Sequence, residues 1–304
     1  MQEVSLNRIP TITTHEGETS AFVIRRPNTL RTPLVFCSPH SGRDYPVAFL
    51  ENSRLPMNLI RRSEDLFVDE LYRFVEDLGA PLIAARFPRS FLDVNREPFE
   101  LDPAMFEGEL PDYVNTRSIR VAGGLGTIPK IVAENTEIYR SRMTVSDGLE
   151  RIETYHRSFH DAVVQLISET KSLFGMAILI DCHSMPSNVR PMPGGRRSEI
   201  VIGDRYGTSA AARLVSFVTS GFARAGYDVA RNKPYAGGYI TERYGKPAIG
   251  EHALQVEISR ALYADEADFS RSTSFSKVED DLKEVFSRIS EKVRETYPSS
   301  IAAE

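Results

Sequence analysis

Short apolar runs bounded by turn residues alternate with longer stretches of helical periodicity along this chain, and that alternation confines it to an α/β architecture. The runs at 33–37, 81–85, 177–180, 199–203, 227–230 and 252–258 have the length of strands. Between the first two, apolar residues at Leu59, Ile60, Leu66, Phe67, Leu71, Phe74, Val75 and Leu78 predict one amphipathic helix over 57–78, closed by Gly79. The same spacing predicts helices over 149–173, 209–225 and 277–293. Phe91–Asn95 alternates apolar and polar residues and reads as a half-buried or edge strand. The expected fold is a single three-layer α/β/α domain over residues 31–304 around a mixed, mostly parallel sheet. Residues 1–30 would form an N-terminal extension packed on that domain. Residues 97–148, rich in Pro, Gly and Asp with weak periodicity, read as an excursion near a site.

A chain of 304 residues buries enough core to fold without a disulfide or a structural metal. Its two cysteines, Cys37 and Cys182, make no disulfide framework and read as small buried apolar residues. A net charge of −5 gives no electrostatic footprint for nucleic acid or an anionic membrane. No apolar run approaches the roughly 20 residues of a membrane span. The first residues carry no basic region followed by an apolar core, so the cytoplasm is the expected compartment. Oligomeric state is not legible.

Only six histidines occur, and two stand in matched contexts. His40 follows the first core run in Ser38-Pro39-His40-Ser41-Gly42, and His183 follows another in Asp181-Cys182-His183-Ser184. The carboxyl ends of strands in an open α/β sheet are where ligands bind, so the pair points to a metal site built by the sheet. A catalytic zinc takes three His and Asp/Glu ligands and keeps a fourth position for water. Asp44, Glu64, Asp65 and Asp69 are candidates for the third ligand. On a helix over 57–78, Asp65 and Asp69 would share a face beside the core. The bland alternative for each is a surface ion pair with Arg61, Arg62 or Arg73. His156 and His160 are four residues apart, but no Glu stands between them as in a zincin, so they read as helix-surface or supporting residues. Glu257, late in an apolar strand, suits a general base beside an activated water. Asn95-Arg96, and more weakly Arg140, could grip a substrate carboxylate. Gly-x-Ser-x-Gly is absent, which argues against a serine hydrolase of the α/β-hydrolase type.

Eight short segments together resemble the N-formylglutamate amidohydrolase family. They are Ser38–Gly42, Asp65 with Val68-Asp69 and Leu71-Tyr72, Leu92–Arg96, Ile138–Arg140, Asp181–Ser184, Gly237–Thr241, Tyr244–Pro247 and Leu254–Glu257, in family order between about 33 and 263. The resemblance implies a fold like that of the zinc carboxypeptidase and aspartoacylase group, with one catalytic zinc. It implies His40, Asp65 and His183 as ligands. The larger group places a Glu three residues after the first His, and Arg43 stands there in this chain, so the third ligand falls to Asp65, with Asp44 and Glu64 as alternatives. It implies Glu257 as general base and Asn95 and Arg96, with Arg140, as holders of a substrate carboxylate. Gly238 and Tyr239 lie in a loop that would let backbone approach the substrate. The implied reaction is hydrolysis of the amide of an N-acyl acidic amino acid, N-formyl-L-glutamate foremost. A metallo-amidase or peptidase acting on another small amide or a cell-wall peptide, or a non-catalytic binding protein, are the alternatives.

Overall fold

Seven strands build one sheet: β1 (Phe22–Arg25), β2 (Leu34–Ser38), β3 (Leu82–Ala85), β4 (Ala177–Met185), β5 (Ile200–Gly203), β6 (Val229–Arg231) and β7 (Glu251–Ser259). In this computed structural model, which describes residues 20–133, 136–188 and 197–297, they lie in the order β1-β3-β2-β4-β7-β5-β6. Strands β3, β2, β4 and β7 run parallel to one another. Edge strand β1 is antiparallel to β3, and β5, with its parallel neighbour β6, is antiparallel to β7. The sheet is therefore mixed and mostly parallel, as expected. Residues 1–19 of the expected N-terminal extension lie outside the described residues, and β1 shows its last part joined to the sheet.

The two faces follow from the period-2 alternation of the central strands. Leu34, Phe36, Ile178, Ile180, Cys182, Leu254, Val256 and Ile258 share one core with α2 (Ala212–Arg224) and α4 (Phe275–Thr296), while the short α3 (Tyr239–Tyr244) sends Ile240 and Tyr244 into the other. Val35, Cys37, Leu179 and Ala253 face the other core, shared with the long helix α1 over residues 145–174. Helix α1 comprises Val145–Arg151, a π-wound stretch Ile152–Arg157, and Ser158–Phe174, with the Thr144 side chain accepting at its N-terminus and Gly175 left-handed at its end. Among the described residues no helix is long and apolar enough to cross a membrane.

Three expectations need correction. The helix over 57–78 is broken: only Met57–Ile60, Val68–Leu71 and Val75–Leu78 are α-helical, with Arg61–Ser63 as a 3-10 turn. Glu64 is extended and Phe67 left-handed (φ 57°), because the Asp65 N–H leaves the helical ladder to donate to the His40 carbonyl at 3.0 Å. Asp65 and Asp69 therefore do not share a helical face. Phe91–Asn95 forms no strand; all five residues are buried in an irregular turn. And β4 runs on through Met185, so His183 stands inside a strand rather than in a loop beyond one.

Candidate metal centre

On the α1 face, each central strand changes character toward its carboxyl end. Leu179 gives way to Asp181 and His183 on β4, and Ala253 to Gln255 and Glu257 on β7. The register sets Asp181 beside Gln255 and His183 beside Glu257. His40 enters from the segment after β2, and Asp65 from the broken helix. Cys182 points to the opposite face, as strand geometry requires, and with Cys37 is a free, buried thiol.

The three expected ligands meet. Among the described residues, His40, Asp65 and His183 form the one group whose donor atoms lie within 4.8 Å of one another, all of them buried. Asp65 Oδ2 is 3.0 Å from His183 Nδ1 and 3.5 Å from His40 Nδ1. A tetrahedral ion at about 2.0–2.2 Å from each atom needs ligand separations of about 3.3–3.6 Å. Each opposite ring nitrogen faces a carboxylate: His40 Nε2 hydrogen-bonds Asp93 Oδ1 at 2.7 Å, and His183 Nε2 is ion-paired with Asp181 Oδ1 at 2.9 Å. Such partners fix the tautomer that turns the free nitrogen to a metal. Among the described residues His40 Nδ1 is buried with no hydrogen-bond partner, the mark of a donor set short of a cation. Asp65 Oδ1 is satisfied separately, accepting from Ser184 Oγ (3.1 Å) and from the buried Arg260 (3.3 Å). The residues present fit a divalent ion.

Electrostatics agree. Burial alone would raise Asp65, but the hydrogen bond from His183 and the nearby charge of His183 and His40 hold it well below the usual carboxylate range. Burial opposes a charged His183, yet Asp181, Asp65 and Glu257 push its pKa well above the imidazole range. Ion uptake must then release a proton. Glu257 is raised from 4.5 to about 7 by burial, aided by the negative Asp65 and Asp181 and opposed by His183 and Arg89. Its Oε1 accepts from Gln255 Nε2 at 2.7 Å, which orients the carboxylate.

The other carboxylates considered from sequence are engaged elsewhere. Asp44 pairs with Arg86 on the surface, Asp69 with Arg43, and the buried Glu64 accepts from Arg61 and from the Tyr45 hydroxyl. Asn95 is at the site, but its amide is spent inside the protein: Oδ1 accepts from the Ile240 N–H at 2.8 Å, and Nδ2 lies 3.1 Å from His183 Nε2 and 3.4 Å from Asp181 Oδ2. Gly238 is the close neighbour of that amide, since a Cβ there would lie 2.4 Å from Asn95 Oδ1. Arg96 donates Nε to the Leu125 carbonyl and Nη1 to the Asn95 carbonyl, with Asp93 3.6 Å away. The Tyr239 hydroxyl accepts from Arg243. Arg140 is exposed and donates Nε to the Ser53 carbonyl, with no contact to the cluster.

Several residues at the site were not singled out from sequence. Asp181 and Asp93 hold the histidines, and Arg260 holds Asp65. Arg89 donates Nε to Asp93 at 2.9 Å, leaving Nη1 and Nη2 without hydrogen-bond partners among the described residues. Tyr235 lies within the field of Glu257, Arg89, Asp65 and Arg260, and burial followed by the Glu257 charge raises its phenol. Asp181 had a signal: it stands two residues before His183 in a strand, hence on the same face. Arg260 had none for its contact with Asp65, which lies far away in sequence, and Arg89, although only four residues before Asp93, sits in an irregular turn where that spacing carries no helical meaning.

A family model described as N-formylglutamate amidohydrolase matches residues 32–264. N-formylglutamate deformylases of Pseudomonas aeruginosa and Pseudomonas putida are each 28% identical to the chain, over 243 and 247 residues, covering 78% of it and 84% of their own length. The crystal structure of an N-formylglutamate amidohydrolase from Ralstonia eutropha JMP134 superposes with a TM-score of 0.86 at 34% identity, covering 91% of this chain and 100% of that one. A gene product of Agrobacterium tumefaciens, 19% identical with a TM-score of 0.64 and coverage of 91% and 97%, shares the fold.

Proposed function

The chain belongs to the N-formylglutamate amidohydrolase family, and from that premise we propose that it is a zinc-dependent hydrolase that splits N-formyl-L-glutamate into formate and L-glutamate. The observation that carries this reading is the convergence of His40 Nδ1, His183 Nδ1 and Asp65 Oδ2, with Glu257 on the neighbouring strand. Two imidazoles and one carboxylate are a donor set used by catalytic zinc. A divalent ion held there supplies Lewis acidity, polarising the amide carbonyl and acidifying water.

The chain's own groups complete the chemistry. Glu257 accepts a proton from the attacking water and delivers it to the amine nitrogen as the C–N bond breaks. Gln255 keeps the Glu257 carboxylate oriented. Arg89, through Nη1 and Nη2, and Arg96, through the Nη2 its backbone bonds leave over, flank Asp93 and hold the substrate's carboxylates. Arg89 takes the place that the sequence reading gave to Arg140. Asn95 and Gly238 act indirectly, by packing behind His183.

Because the base must be ionised, kcat/KM is expected to rise with pH through an acid limb. A bound cation favours the Glu257 carboxylate, so the midpoint belongs between the ordinary 4.5 and the value of about 7 that burial imposes in its absence. Rates measured from pH 4 upward check this; a flat profile across that window would remove Glu257 as the base.

The direct assay follows formate release from N-formyl-L-glutamate by zinc-loaded protein, beside the N-acetyl and N-succinyl analogues and N-formyl amino acids lacking a second carboxylate. Preference for the formyl dicarboxylate is expected. Full zinc loading with none of these cut would end the reading, and cleavage of a cell-wall peptide instead would favour the second reading, an amidase of the same fold.

A further inference from the structure

Asn95 and Arg96 stand on a segment that is neither strand nor helix, so the carbonyls of Val94–Arg96 have no ladder partners. Buried carbonyls of this kind need donors from elsewhere. Two imidazoles of α1 supply them: His156 Nε2 donates to the Arg96 carbonyl at 2.9 Å, and His160 Nε2 donates to the Val94 carbonyl at 2.8 Å. Both side chains are buried rather than on the helix surface. His160 Nδ1 accepts from the Tyr244 hydroxyl at 2.7 Å, which leaves that ring one proton and fixes its tautomer.

The helix is shaped for this. His156 lies in the π-wound stretch Ile152–Arg157, and π turns inside α-helices gather at functional sites. The two imidazole centroids are 4.3 Å apart, and both rings pack on Tyr239, at 6.0 and 5.4 Å. Tyr239 begins α3, directly after the Gly238 that abuts Asn95. The pair thus ties α1, the 94–96 turn and α3 together. Neither imidazole belongs to the metal group, and each Nε2 is spent on a carbonyl.

We propose that His156 and His160 are positioning residues that pin the carbonyls on either side of Asn95 and so set the Arg96 guanidinium for the substrate's carboxylate. This rests on the carboxylate-binding role given to Arg96 above. The groups facing the two rings are the Arg96 and Val94 carbonyls, Asp93, Arg243, Tyr239 and Tyr244. Burial lowers His156 to about 4 and His160 well below the imidazole range, so both remain donors through one N–H over the working pH range.

The test compares His156→Met, which removes the donor at similar bulk, with His156→Gln, whose Nε2 can donate in the same direction. Both are assayed as full-length, zinc-loaded protein. His156→Met is expected to raise KM for N-formyl-L-glutamate by about tenfold with kcat within about threefold, the signature of lost ground-state binding. One zinc per chain is retained, and His156→Gln returns KM to within about threefold of the parent. An unchanged KM in the Met variant, or a folded Gln variant as impaired as Met, overturns the proposal. Nitrogen-15 NMR of the parent's imidazoles separates this from failure of the functional reading. If the parent cuts no N-formyl amino acid, that reading fails, yet protected Nε2–H signals coupled to the carbonyls of 94 and 96 still support the pinning. Free exchange of both N–H protons with solvent overturns it.

Discussion

Glu257→Gln is expected to lower kcat for N-formyl-L-glutamate by about 10²–10⁴-fold, the contribution of a positioned general base, while one zinc per chain is retained. The substitution is nearly isosteric. Glu257 is not one of the three grouped donors, and its Oε1 is held by Gln255, a bond that an amide oxygen can still accept. Replacing a buried carboxyl whose pKa is already raised removes a costly ionisation, so the fold is not expected to suffer. The acid limb of the pH profile should vanish with the activity. Kinetics paired with metal analysis check both halves; turnover within a few-fold of the parent would take Glu257 out of the mechanism.

Asp65→Asn is expected to have the second large effect, this time on the ion itself. The amide keeps the shape but removes the one anionic donor of the group and leaves Arg260, buried beside it, without its carboxylate. Even residues behind metal ligands cost about 10–100-fold in affinity when removed, so loss of a ligand is expected to exceed that. Stability should fall as well, because the buried Arg260 loses its buried carboxylate and keeps only the more exposed Glu266, 3.7 Å away. His40→Gln serves as companion, since it leaves the Asp65–Arg260 contact in place. Chelator-competition titrations of both variants give the affinity. Parental zinc affinity in both would remove this group as the binding site.

The parts of this molecule readable from its sequence are those governed by local period. The strands, three of the four long helical stretches and the placing of His40 and His183 near strand ends follow from apolar spacing and turn residues. The break at 61–67 does not, because its apolar residues are buried whether or not the backbone is helical. Leu66 and Phe67 reach the core through an extended Glu64 and a left-handed Phe67, and the hydrogen bond that diverts Asp65 comes from His40, 25 residues earlier. The alternation at 91–95 would make Asp93 and Asn95 the polar residues of a half-buried or edge strand. They are buried, and apart from Arg89, four residues before Asp93, what satisfies them and their neighbours is long-range: His40, Asp181, His156 and His160. The i, i+4 spacing of the two helical histidines leaves a helix-surface and a supporting place both open, because it says which face they share and not what covers that face.

X-ray diffraction from zinc-soaked crystals, with anomalous data on both sides of the zinc edge, tests the account at its centre. It predicts a single strong peak about 2.0–2.2 Å from His40 Nδ1, His183 Nδ1 and Asp65 Oδ2. A peak bound through either Nε2, or sited away from these three side chains, would contradict it.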